Sequence, residues 1–178
     1  VLLQVPGKSF DEQDIIPPGG SVEQPWLTSV DVDGDGKPEL LLAQKNFLRA
    51  VVVKADSQTK GTASRPSWSF VVKEQINGAS SNSRIVAATP LAGGDRKIPA
   101  LFLLDAERKA LTLSERDKAG VWQVVRNVFL PVTDFNELQS IGLKSTNANS
   151  VAFVGNSSVA WMNLSGPVWK LNLSLIHI

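Results

Sequence analysis

Nine residues, Asp31-Val32-Asp33-Gly34-Asp35-Gly36-Lys37-Pro38-Glu39, carry four carboxylates at positions 1, 3, 5 and 9 of the stretch. Like charges packed this closely repel one another, so something must neutralise them. A hard divalent cation does so best, and calcium in particular takes roughly six to eight oxygen ligands in flexible geometry. Alternate spacing lets Asp31, Asp33 and Asp35 turn to a common side. Gly34 and Gly36 let the backbone curl through φ values that other residues resist. The expected ligands of a Ca2+ ion are therefore the side chains of Asp31, Asp33, Asp35 and Glu39 together with the backbone carbonyl of Lys37.

The flanks decide what kind of calcium loop this is. An EF-hand closes with a bidentate Glu at loop position 12 between two helices. Position 12 here is Leu42, and Pro38 would sit badly inside a helix. Trp26-Leu27-Thr28-Ser29-Val30 before the loop is β-rich, and Leu40-Leu41-Leu42-Ala43 after it is an apolar run of strand length. The spacing predicts a calcium-binding β-hairpin.

The run Ser29-Val30-Asp31-Val32-Asp33-Gly34-Asp35-Gly36-Lys37-Pro38-Glu39-Leu40-Leu41-Leu42 resembles the core of an FG-GAP or VCBS-type repeat, with Glu39 where that family usually has Asp. The resemblance implies a blade of a β-propeller, as in the head of integrin α-chains and in many bacterial secreted and surface proteins. It covers about fifteen residues, in keeping with a short motif that carries its own mechanism.

The elements that would position this loop can be read from the rest of the chain. Three stretches share one order: apolar strand, polar turn, alternating strand, loop, and a strand with Trp near its start. They are 37–71, 97–125 and 149–171, and their Trp68, Trp122 and Trp169 lie 54 and 47 residues apart. That is near the roughly 40–50 residue period of propeller blades. A further strand precedes each, at 27–30, 84–88 and 138–143. Four short antiparallel strands per unit make one blade, and stacked blades cover each other's faces. The expected fold is all-β, a β-propeller fragment of about three four-stranded antiparallel blades. Residues 1–25 form the edge of a preceding blade and a Pro/Gly linker, 26–80 the blade with the calcium loop, 81–134 the second blade and 135–172 a partial third. Three blades fall short of the roughly four to eight that close a ring, so the remaining blades are expected elsewhere in a longer chain. The tail Leu173-Ser174-Leu175-Ile176-His177-Ile178 resembles the translation of a transposase adapter used in sequencing libraries, and 173–178 is read as an artefact.

The acidic loop is expected in one blade alone. The matching positions are Pro90-Leu91-Ala92-Gly93-Gly94-Asp95-Arg96 in the second unit, with one carboxylate, and Lys144-Ser145-Thr146-Asn147-Ala148-Asn149 in the third, with none. The Trp residues are read as core packing.

Composition narrows the function. The 178 residues are 43% apolar with net charge +1, which gives no broad basic field to recommend nucleic acid or an anionic membrane. No apolar run reaches transmembrane length. There is no Cys and one histidine, His177, in the adapter-like tail, so Ser-His-Asp and Cys-His arrangements are missing from this stretch of chain. The carboxylate pairs Asp105/Glu107, Glu115/Asp117 and Asp134/Glu137 are read as solvated turn charges. The expected function is a non-catalytic calcium-binding module for binding or adhesion, exported to the cell surface, the extracellular space or the periplasm, with a protein or carbohydrate ligand. The alternative is the propeller portion of a secreted carbohydrate-active enzyme such as a polysaccharide lyase. Asn156-Ser157-Ser158 and Asn163-Leu164-Ser165 would be sequons if the source glycosylates exported proteins.

Overall fold

A computed structural model describes residues 1–4, 7, 9–22, 27–56, 67–91, 97–131, 134–143, 148–163 and 170–175. Short Val-, Ile- and Leu-rich runs separated by Gly, Pro, Asn and Asp turns become strands throughout, and among the described residues there is no helix. Among the described residues no helix is long and apolar enough to cross a membrane.

The chain opens with a small hairpin, β1 (Leu2–Gln4) against β2 (Phe10–Glu12). The Phe-Asp-Glu of β2 is too short and too polar to carry a readable period. Three four-stranded antiparallel sheets follow, each a simple meander of consecutive strands. The first contains β3 (Leu27–Val30), β4 (Glu39–Gln44), β5 (Phe47–Ala55) and β6 (Trp68–Asn77). The second contains β7 (Ile85–Pro90), β8 (Leu101–Asp105), β9 (Ala110–Arg116) and β10 (Trp122–Phe129). The third contains β11 (Phe135–Leu143), β12 (Ala148–Gly155), β13 (Ser158–Asn163) and β14 (Lys170–Leu175). β14 takes in the first three residues of the adapter-like tail, whose Leu173 and Leu175 register against Ala160 and Ser158. Trp26, Trp169, His177 and most of the second and third matching loops (92–96 and 144–147) lie outside the described residues.

The sheets pack through their leading strands: β7 lies against β3 and β4, and β11 lies against β7 and β8. The middle sheet is therefore covered on both faces. Leu101 and Leu103 of β8 join Leu41, Leu48, Ala50 and Ile76 of the first sheet. Phe102 and Leu104, one residue along, join Phe135, Leu138, Val151 and Phe153 of the third. Side chains alternate across a strand, so burial on both sides requires an unbroken apolar run, and all five residues of β8 are buried. β13, in an outer sheet, shows buried and half-buried residues in strict alternation. The outer strands β6 and β10 run longer than their apolar segments suggest, because they are largely solvated and carry polar residues such as Lys73, Gln75, Arg126 and Asn127.

The Trp residues are not structurally equivalent, although their spacing resembles a period. Trp122 packs against the core between the first two sheets, paired with Arg116 and two residues from Val124 at the register shift of its ladder, whereas Trp68, paired with Ala55, stands four residues from Val72 at the shift of the β5–β6 ladder.

Candidate metal centre

The acidic loop is the 31–38 connection of the β3–β4 hairpin, closed by the register pair Val30 and Glu39. Val32 anchors it, fully buried in the core between the first two sheets, while its neighbours Asp31 and Asp33 are half-buried. Gly34 and Gly36 both adopt positive φ, +80° and +87°, which turns the chain back on itself. At Gly34 a Cβ would also stand 3.1 Å from Ile98 in the approach to β8, so the loop is seated against the second sheet.

The backbone N–H groups of the loop are met by its own carboxylates. Asp31 accepts from the Gly34 N–H at 2.6 Å and from the Gly36 N–H at 2.8 Å, one on each carboxylate oxygen. Asp33 accepts from the Asp35 N–H at 3.0 Å, and Asp35 from the Lys37 N–H at 2.8 Å. Glu39 reaches back under the loop, where its Oε2 accepts from the Val32 N–H at 3.1 Å. One oxygen each of Asp31, Asp33 and Glu39 lies within 4.8 Å of the others. A carboxylate oxygen has a second lone pair, so accepting one N–H leaves each able to take a cation.

Glu39 tests whether a cation fits. Its side chain is fully buried, and Oε1 has no hydrogen-bond partner. A buried, unpaired carboxylate oxygen is costly unless a charge meets it. Burial raises the Glu39 pKa above its ordinary value; the fields of Asp33, Asp35 and Asp31 push the same way, and the Val32 N–H opposes them. Three converging carboxylates, one with an orphaned oxygen, suit a hard oxygen-seeking ion such as calcium, which would neutralise this charge and draw the loop together.

Of the five ligands expected from sequence, the structure gathers Asp31, Asp33 and Glu39. Asp35 is more exposed and lies outside that group, with Oδ1 on the Lys37 N–H and Oδ2 3.5 Å from Lys73. Lys37 is exposed.

Two cations from distant strands also reach the loop. Lys73 of β6 donates to Asp33 Oδ2 at 2.9 Å, and this bond is the main reason the Asp33 pKa is lowered. Arg116 of β9 donates Nη1 to the Asp33 carbonyl at 3.0 Å, Nε to the Gly120 carbonyl at 2.9 Å, and Nη2 to Glu74. One guanidinium thus joins the loop, the first sheet and the β9–β10 turn. Beside it a cleft of roughly 650 Å³ is lined by residues including Lys97, Ile98, Arg116 and Lys118. Neither Lys73 nor Arg116 carries a local signal, since they stand 40 and 83 residues from Asp33.

The other carboxylates organise turns. Asp117 accepts from the Ala119 and Val121 N–H groups, and Asp134 from the Ser157 and Ser158 hydroxyls. Asp105 departs from the solvated-turn reading: it is fully buried, accepting at Oδ1 from the Arg84 and Arg108 N–H groups. It stands at the end of β8, where a single carboxylate can serve two turns at once.

No family model matches the chain, and no curated protein is found to match it.

Proposed function

We propose that the chain is part of a calcium-stabilised β-propeller of the FG-GAP/VCBS kind, a non-catalytic module for binding or adhesion outside the cytoplasm. The observation that carries the calcium reading is the buried Glu39 carboxylate, with Oε1 unpaired and Asp31 and Asp33 beside it. The propeller reading is supported by three successive four-stranded meanders that pack leading strand to leading strand. The remaining blades would belong to the same longer chain. The ion's role is structural: it ties the end of β3 to the start of β4 and, through Arg116, steadies the contact with the second sheet. An affinity of roughly 10⁻⁴–10⁻³ M, as in extracellular calcium modules, would load the loop outside cells, where the proposed module would act. The ligand would be a protein or carbohydrate, held by loops at one end of the propeller.

Thermal melts with calcium and with chelator test this reading. A hundredfold excess of ion over Kd adds about 2.7 kcal/mol to the folded state. Chelation is expected to lower the melting temperature, and Asp33→Ala to abolish the difference. Coincident melts of the unsubstituted chain in both conditions defeat the calcium assignment.

A further inference from the structure

We propose that Lys73 is a built-in counter-ion that contends with calcium for Asp33 and so sets the affinity of the loop; this rests on the calcium reading above. The ammonium lies 2.9 Å from Asp33 Oδ2 and 3.5 Å from Asp35 Oδ2. It is thus bound to one of the three converging carboxylates and close to the one carboxylate of the loop that stands apart.

Lys73 reaches this position because of a β-bulge. In the β5–β6 ladder Ala50 pairs with Glu74 and Val51 with Val72, which leaves Lys73 as the extra residue. In a regular strand Lys73 and Glu74 would point to opposite faces. The bulge breaks that alternation, as bulges do where a side chain must be re-aimed. Both residues then serve the loop, Lys73 on the Asp33 carboxylate and Glu74 on Arg116, which holds the Asp33 carbonyl.

The second sheet has the same bulge at the corresponding place. Leu40, Val51 and Val72 align across the first sheet as Leu101, Ser114 and Val124 do across the second. The ladder there skips Val125, an exposed residue. The bulge is therefore shared by the first two sheets, while the β13–β14 ladder runs through the matching pair Asn163 and Lys170 without one, and of the two bulges the one that carries an amine lies in the sheet with the acidic loop.

The chemistry gives the amine two effects. Without calcium it neutralises part of the cluster's charge and keeps the loop formed. When calcium arrives, both cations compete for one carboxylate, and the ammonium must leave or tolerate a divalent neighbour. Its side chain is 33% exposed on a flexible stem, so it can swing into water without disturbing the sheet. The site is then weaker than its carboxylates alone would make it, and it loads in response to calcium concentration instead of staying saturated.

Calcium titration calorimetry on the whole chain, on Lys73→Gln and on Lys73→Arg tests this. The Gln variant is expected to bind calcium about tenfold more tightly at low ionic strength, equivalent to about 1.4 kcal/mol. Near 1 M monovalent salt, where the screening length is about 3 Å, the gap should narrow. The Arg variant, which keeps the charge, should stay close to the unsubstituted chain. Circular dichroism checks that each variant is folded. A folded Gln variant with unchanged or weaker affinity overturns the role of Lys73 and leaves the calcium site standing. No calcium uptake by any of the three sinks the site and the inference together.

Discussion

Replacing Glu39 with Gln should stabilise the protein without calcium and weaken it with calcium. The two side chains are close in size, and the Gln carbonyl can still accept the Val32 N–H that Glu39 Oε2 accepts at 3.1 Å. What the substitution removes is a charge, buried beside two others, and an oxygen that has no partner. In chelator that charge only costs stability. The Glu39 pKa is raised in the fold, so ionising it opposes folding; the penalty is absent below the ordinary carboxylate range and fully present above the raised value. An unsatisfied buried group costs about 1–3 kcal/mol, so relieving it should add about 1–1.5 kcal/mol at neutral pH. For a chain of this size that is a rise of about 2–6 °C in melting temperature. In calcium at about a hundredfold excess over Kd, the unsubstituted chain gains about 2.7 kcal/mol, or about 5–10 °C, and the variant forgoes most of it for want of a ligand. The two melting temperatures should therefore change order between chelator and calcium. Differential scanning calorimetry in both buffers reads this directly. A variant less stable than the unsubstituted chain by the same margin in both conditions would show that Glu39 is only a support for the Val32 N–H.

Gly34→Ala should destabilise by about 1–3 kcal/mol, because a side chain at φ +80° is strained and its Cβ would press on Ile98 at 3.1 Å; a denaturant midpoint shift measures it. The Ser158 hydroxyl, followed by the Ser157 groups, holds the Asp134 pKa below its ordinary value against the opposing effect of burial. A lowered folded-state value contributes stability that is present above the unfolded pKa and lost as pH falls through the folded one. The stability gap between the unsubstituted chain and Asp134→Asn should accordingly be widest near neutrality and close below the ordinary Asp range, as read from melts across pH. A gap that is constant with pH removes Asp134 ionisation from the account.

Much of this molecule is legible in its residue order because the relevant causes are local. Asp at alternate positions with Gly between them encodes a tight acidic turn, and Pro38 with the flanking β-branched and apolar runs encodes strands instead of helices. Most strands of the three meanders follow from apolar runs between turn residues. Where burial is lopsided the pattern fades: β2 is too short and polar to read, and β6 and β10 outrun their apolar segments because solvated strands do not need them.

Packing decided the rest. Repeated Trp residues look periodic along the chain, yet Trp68 and Trp122 stand at different distances from the register shifts of their ladders, since spacing along the chain does not fix register. Asp105 reads as one more charge in a turn and proves fully buried, because the folded sheet brings two backbone N–H groups to it. Around the acidic loop, the sequence alone names the carboxylates. Only the tertiary structure buries Glu39 and delivers Lys73 and Arg116 to Asp33, because a bulge and the stacking of two sheets bring together groups 40 and 83 residues apart.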